Sequence, residues 1–390
     1  MSLTNYSPIR HGQTNATGDA RSLFLKLYAG EVLTAFQTRN VMMPLHRVHT
    51  ISKGKSAQFP MTGKFRSASY HTPGNEIQPT TAKQGERVVS IDDLLINAQF
   101  IANIDEAMSH YDVRSIYTQE AGYALAKVAD QNLLRTAIKA GLCDNSTVAE
   151  TAGMIQDIGS GFDDEDFTSN VFIGGATGSA ADEVQDPKEL AQAIIEARRI
   201  LENAAVPGDP VVVLPVDLYY NMFKVNAAGG LNDLVIFNRD VGGGGSVVTG
   251  DVPMIMGMPL VTTPHMGSFA GSVWSPSLWT QSGGTGTGSI AVTTDHDPLS
   301  GESGRNGQYN VPLASTATAS MGTDNLSDLA MRVVGLVMTQ DAVATVKLMD
   351  LAIESEYQIT RQGTMTVAKY AMGHNVLRPA SCVLLLQGTG

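Results

Sequence analysis

The stretch YDVRSIYTQEAGYALAKVADQNLLRTAIKAG, residues 111–141, most constrains what this chain can fold into. Val113, Ile116, Tyr117, Ala121, Ala124, Leu125 and Val128 recur at helical spacing, and Leu134 and Ile138 extend the stripe. Asp112 stands where a carboxylate can cap the first free backbone N–H groups. Gly141 stands as a stop signal, with Lys139 in the last turn. The spacing predicts a spine helix over 112–140, about 42 Å long at 1.5 Å per residue. Its many alanines favour close packing against a sheet.

The flanks read as β-rich. Residues 1–20 are polar and form an arm, and residues 23–36 (LFLKLYAGEVLTAF) are apolar on more than one side. That segment is too short to span a membrane, so it needs a partner surface. Residues 48–61 read as one strand and residues 86–95 as its return, joined by a polar hairpin containing Lys64, Arg66, Tyr70 and Pro73-Gly74. A chain folding alone gains little from such an extension.

Beyond the spine, Asp186-Pro187 opens a second helix over 188–203, with Leu190, Ile194, Ala197 and Leu201 on one face. Strands are expected at 211–214, 254–263 and 333–338, with a helix at 216–225. Residues 343–349 continue in extended form. Residues 353–359 and 365–371 pair as a hairpin turning at 361–363, and 383–386 close the chain as a short strand. Residues 282–323 are rich in Gly, Ser and Thr and read as a long exposed insertion, because they cannot build a core.

The charge is uneven. Residues 1–70 hold nine Lys/Arg against Asp19 and Glu31, or +7, while the remainder is −19 within a net charge of −12. A basic arm and an acidic body imply nucleic-acid contact or attraction between copies. With 390 residues, more than one domain is expected. Two cysteines, Cys143 and Cys382, form no metal spacing or disulfide framework. No secretory leader or membrane span is expected, and the chain reads as assembled in the cytoplasm.

Catalytic motifs fail one by one. Gly54-Lys55-Ser56 looks like the end of a phosphate loop, but the position five residues earlier is His49 and the segment after Ser56 reads as extended. Gly242–245 and Gly283–288 lack the strand and helix of a dinucleotide fingerprint. His46 and His49 have only His71 as a further ligand candidate, and residues 163–166 (DDED) lack the glycine and terminal glutamate of a calcium loop. There is no G-x-S-x-G elbow, and Asp295-His296-Asp297 lies in the Gly/Ser/Thr-rich segment. No catalytic residue, cofactor or metal is expected.

Several blocks resemble a known family. They are 23–36, SKGKSAQFP at 52–60, HYDVRSIYT at 110–118, TVKLMDLAIE at 345–354 and KYAMGHNVLRP at 369–379. Together they are similar to the major capsid protein of short-tailed, Autographivirus-type (podovirus) phages, with residues 282–323 looking like an addition. The resemblance implies an α+β, Hong Kong 97-type capsid fold. Its parts would fall at 1–47 (N-terminal arm), 48–95 (extended loop), 96–150 with 339–380 (peripheral domain) and 151–338 (axial domain), leaving 381–390 as a strand and tail. It implies pentamers and hexamers closing into an icosahedral capsid around double-stranded DNA, held by non-specific contact. A separate scaffolding protein and a portal protein are implied partners. Leu23, Phe24, Phe36, Lys64 and Arg66 are the expected inter-subunit contacts. A cellular nanocompartment shell of the same fold is the alternative, and a phosphate-loop enzyme a more distant one.

Overall fold

The computed structural model describes residues 40–62, 70–74, 76, 84–92, 94–104, 113–143, 170–177, 184–222, 254–270, 273–282, 291–293, 309 and 326–389. The architecture is α+β. In chain order come β1 (Arg47–Thr50), β2 (Ser56–Thr62), β3 (Gln84–Ser90), β4 (Leu95–Ala102) and helix α1 (Val113–Leu142). Then follow β5 (Val171–Thr177), α2 (Pro187–Asn203), β6 (Val211–Pro215), α3 (Val216–Asn221), β7 (Met254–Ile255) and β8 (Met258–Thr263). Short strands β9 (Gly267–Ala270), β10 (Val273–Pro276), β11 (Thr280–Ser282) and β12 (Ala291–Thr293) precede α4 (Leu326–Met331). The chain ends with β13 (Val333–Met338), β14 (Val343–Gln358), β15 (Gly363–Val376) and β16 (Cys382–Thr389).

Two compact units share these elements. The larger takes Val41–Ile91, Asp130–Val346 and Gly373–Gly390; the smaller includes Asp92–Ala129 and Lys347–Met372. Helix α1 and strands β14 and β15 run through both.

A six-stranded sheet in the order β5-β16-β13-β6-β8-β7 organises the larger unit. β16 runs parallel to β5 and antiparallel to β13, and β6 runs antiparallel to β13 and parallel to β8. All six residues of β13 are buried, as a central strand covered on both faces requires. Helix α2 packs on β5, β13 and β16 through Leu190, Ile194, Ala197 and Leu201. Its start is built as the residues imply: Pro187 occupies the first turn, and the Asp186 carboxylate accepts from Lys188 N at 3.0 Å.

From residue 129 to residue 143 every side chain of the spine is buried. A helix buried all round is a core element, and its polar groups must find partners inside. The Thr136 hydroxyl donates to Asn132 O at 2.8 Å, and Arg135 donates to Asn132 Oδ1 and Leu278 O, each at 2.6 Å. Gly141 is not the stop signal its position suggested, because α1 continues to Leu142. Its role is packing. A Cβ there would overlap the Leu384 side chain of β16. The Asn170 side chain bridges the same two elements, donating to Gly141 O at 2.9 Å and accepting from Leu384 N at 3.1 Å. Asp112, the expected cap, lies outside the described residues.

In the smaller unit β4 pairs antiparallel with β15, from Gly363↔Ala102 to Tyr370↔Leu95, in a sheet of order β1-β14-β15-β4. The hairpin expected at 353–371 is present and longer. Its turn is a 3₁₀ segment, Ile359–Arg361, followed by left-handed Gln362 at φ 50°. Gly363 then lets β15 approach β4, since a Cβ would come within 2.5 Å of Ile101 O.

Four sequence expectations change. The strand read over 48–61 is two strands with different partners: β1 joins the sheet of β14, and β2 pairs with β3. The break lies at Gly54, whose φ of 114° no ordinary strand residue adopts. The return strand read over 86–95 likewise splits, β3 ending at Ser90 and β4 beginning at Leu95. The strand read over 254–263 is a tight hairpin, β7 to β8, turning at Met256 (φ 50°) and Gly257 (φ 77°). The helix read over 216–225 ends at Asn221.

Candidate assembly surfaces

Among the described residues, exposed apolar and acidic side chains gather on particular strands. In the smaller unit Leu94, Ile96, Ile104, Met349, Ile353, Tyr357 and Ile359 are exposed large apolar side chains. Three of them, Met349, Ile353 and Tyr357, recur every four residues along β14 and therefore share one face of the strand. The opposite face carries Asp350, Glu354 and Glu356, all exposed. Glu354 pairs with Lys369 Nζ at 2.8 Å and Asp350 with Lys347 Nζ at 3.2 Å. The Tyr357 hydroxyl accepts from Asn103 Nδ2 at 3.0 Å and donates to Gln362 Oε1 at 3.2 Å, so its ring is held while facing out. A pre-ordered exposed aromatic beside aliphatic groups has the composition of an interface anchor.

The four-residue β1 can cover only part of the sixteen-residue β14, which leaves backbone edge beyond it among the described residues. The larger unit also exposes large apolar side chains: Met254 and Met256 on the β7–β8 hairpin, Tyr220 on α3 and Ile195 on α2.

The β2–β3 hairpin is anchored at its root. Ile91 N donates to Lys55 O at 2.8 Å, Asn375 Nδ2 donates to Val88 O at 2.9 Å, and Val89 is fully buried. Gly373 permits this, because a Cβ there would collide with the Ser90 backbone. Farther out, Tyr70 and residues 71–74 are exposed.

A buried polar network lies beneath the start of the described chain. Asp130 Oδ1 accepts from Val41 N at 3.1 Å and Met42 N at 2.7 Å, and its Oδ2 meets His265 Nδ1 at 2.8 Å. Met42 O accepts from His46 Nδ1 at 3.0 Å, and Thr345 Oγ1 stands 2.5 Å from His46 Nε2 and 2.8 Å from His374 Nδ1. Tyr309 packs on the His374 ring, and its carbonyl accepts from Trp279 Nε1 at 3.3 Å. Sequence reading missed this network entirely. The available signal was the charge of Asp130 inside an Ala/Leu-rich helix, which only a buried partner makes tolerable.

The structure separates the candidate chemical groups. His46 is bound inside, whereas His49 is exposed and meets Phe59 edge-on. Ser56 opens strand β2, so no helix N-terminus follows Lys55 to receive a phosphate. Among the described residues no three His, Cys, Asp or Glu side chains gather as a metal site. Burial pushes the Cys382 thiol up to about 12, with Cys143 adding to the shift, so it stays protonated and non-nucleophilic. Burial likewise lowers Arg135, yet its bonds to Leu278 O and Asn132 keep it cationic. Leu23, Phe24, Phe36, Lys64 and Arg66, the expected contact residues, lie outside the described residues, as do 163–166, 242–245 and 295–297. Tyr309 departs from the expectation of a wholly exposed 282–323 segment, being 1% exposed.

The residues match the Gp10A-like family, described as major capsid protein, over 58–304 and 301–386. The chain belongs to this family. The two matched stretches meet at residues 301–304, within the Gly/Ser/Thr-rich segment 282–323. The major capsid protein of Escherichia phage T7 is 34% identical over 368 residues, covering 93% of this chain and 91% of that protein. The major capsid protein of Enterobacteria phage T3 is 31% identical over 375 residues, covering 94% and 92%. Among solved structures, the capsid of cyanophage P-SCSP1u superposes with a TM-score of 0.62 at 30% identity, covering 99% of this chain and all of that one. The mature capsid of bacteriophage PhiM1 shares the fold, with a TM-score of 0.60 at 14% identity and 93% and 91% coverage. The fold is the Hong Kong 97-type capsid fold, and this family member is a structural subunit of a tailed double-stranded DNA phage that self-assembles into an icosahedral shell.

Proposed function

We propose that shell closure works by a basic hairpin and an apolar N-terminal segment of one copy engaging the acidic, apolar-faced β14 of a neighbour. The observation that carries this is the two-faced exposed stretch of β14, with Met349, Ile353 and Tyr357 on one side and Asp350, Glu354 and Glu356 on the other. Lys64 and Arg66 supply the complementary charge, and Leu23, Phe24 and Phe36 the complementary apolar surface. In this reading residues 1–47 are the arm and 48–95 the extended loop. Residues 96–150 with 339–380 are the peripheral domain, and 151–338 the axial domain. Assembly takes place in the host cytoplasm on a separate scaffolding protein, around a portal protein. The packaged DNA is held by non-specific contact.

Each exposed ion pair contributes only about 0.2–1 kcal/mol. A closed shell repeats the contact in every subunit, so small terms decide assembly. Reversing Lys64 and Arg66 to Glu is expected to leave a folded subunit with native circular dichroism that sediments as small oligomers. Raising salt should slow wild-type assembly, because exposed pairs are screened over about 8 Å at physiological ionic strength. Normal particles from the double reversal would remove the electrostatic clamp and leave the apolar segment as the contact.

A further inference from the structure

We infer that Asp130 is a positioning residue that aims the N-terminal segment for assembly. The chain emerges from its first 40 residues into two consecutive amides, Val41 N and Met42 N, both bound by the one oxygen Asp130 Oδ1. Fixing two successive peptide planes on a single acceptor fixes the direction in which everything before residue 41 departs. Asp130 itself is fully buried on a helix buried all round, and His265 holds its other oxygen. The carboxylate therefore cannot swing.

Met42 is held from its other side as well. A carbonyl only accepts, so His46 Nδ1 carries the proton shared with Met42 O. In neutral His46 the Nε2 atom is then an acceptor, and the Thr345 hydroxyl donates to it. The Thr345 oxygen in turn accepts from His374 Nδ1–H. With His46 neutral, every proton along His374, Thr345, His46 and Met42 O has one place. Residue Met42 is thus clamped at its N–H by the spine and at its C=O by a relay reaching β14 and β15.

A pre-aimed segment binds its partner without losing affinity to the fraction of misdirected conformers. Alanine at 130 removes the acceptor, leaves the two amides unbound and lets the segment leave in many directions. Asparagine keeps Oδ1 for both amides and presents Nδ2–H to His265 Nδ1, which accepts it in the other neutral tautomer.

The inference rests on the proposed role of Leu23, Phe24 and Phe36 as contacts, and the experiment separates the two. Full-length Asp130→Ala, Asp130→Asn and a triple Leu23→Ser, Phe24→Ser, Phe36→Ser variant are compared with wild type. The readouts are amide hydrogen exchange at Val41 and Met42, the denaturation midpoint, and shell yield by sedimentation and electron microscopy. For Asp130→Ala we expect faster exchange at both amides and about a tenfold loss of shells, with both restored by Asp130→Asn. Wild-type yield from Asp130→Ala, or an asparagine variant as defective as alanine, overturns the inference. Should Asp130→Ala not fold, Thr345→Val carries the test by removing the donor to His46, and unchanged shell yield there overturns it. If the triple variant assembles normally, the contact role of residues 23–36 fails instead.

Discussion

In the larger unit β13 buries all six of its residues, while β14, entering the smaller unit at Lys347, exposes Met349, Ile353 and Tyr357. Both strands are rich in apolar side chains. The first lies between β16 and β6 with helix α2 against it, so its chain supplies every neighbour it needs. The second alternates apolar and acidic faces and leaves both in water. A monomer would bury such a face or replace it with polar residues. The difference separates what the subunit completes alone from what other copies of it must complete.

The contrast can be broken most directly at Leu336, fully buried in β13. Leu336→Ala is expected to cost about 2–5 kcal/mol, through lost transfer energy and a residual cavity. Urea denaturation of the dissociated subunit measures it. Ile353→Ala should fall within about 0.5 kcal/mol on the same assay, as an exposed substitution does. Equal costs at the two positions would mean that β14 is packed by its own chain. Next, Ile353→Ser combined with Tyr357→Ser should leave the subunit's midpoint unchanged and abolish shells. Each side chain fully buried at an interface contributes about 1.5–3 kcal/mol. Wild-type particle yield would assign that face to solvent. A smaller loss of stability than at Leu336 is expected at Gly141, where a new methyl would press on Leu384. Gly141→Ala should cost about 1–3 kcal/mol by overpacking, read as a lower midpoint. A neutral or stabilising result would show that packing against Leu384 does not require glycine at 141.

Parts of this contrast were readable from the residues. The spine and α2 announced themselves because helical spacing, Asp186 and Pro187 act locally. Strand β13 did too, as a β-branched apolar run. Period-two patterning could not say which partner a strand takes, so the change from β1 to β2 at Gly54 was invisible. The turn at Met256 was hidden because methionine gives no turn signal. Gly141 satisfied a local rule for a reason that lies 243 positions away, at Leu384. The Asp130 network was illegible for the same cause: its partners stand 88 and 135 positions distant. The acidic and apolar faces of β14 were in plain view as MDLAIESEY, but only the exposure of their side chains tells that nothing described covers them.

The place of β16 has a bearing on how these subunits are made. It lies between β5 and β13, one place in from the edge of the order, although it is the last of the described strands along the chain. Until residues 382–389 emerge, β13 lacks one neighbour and β5 its one neighbour among the described residues. Nascent chains therefore cannot close the sheet during translation, whatever the earlier segments do. A polypeptide released early exposes the Val-rich edges of β13 and becomes a substrate for chaperones and proteases. Completion of the six-stranded sheet thus waits on residues 382–389, a dependence set by strand order alone.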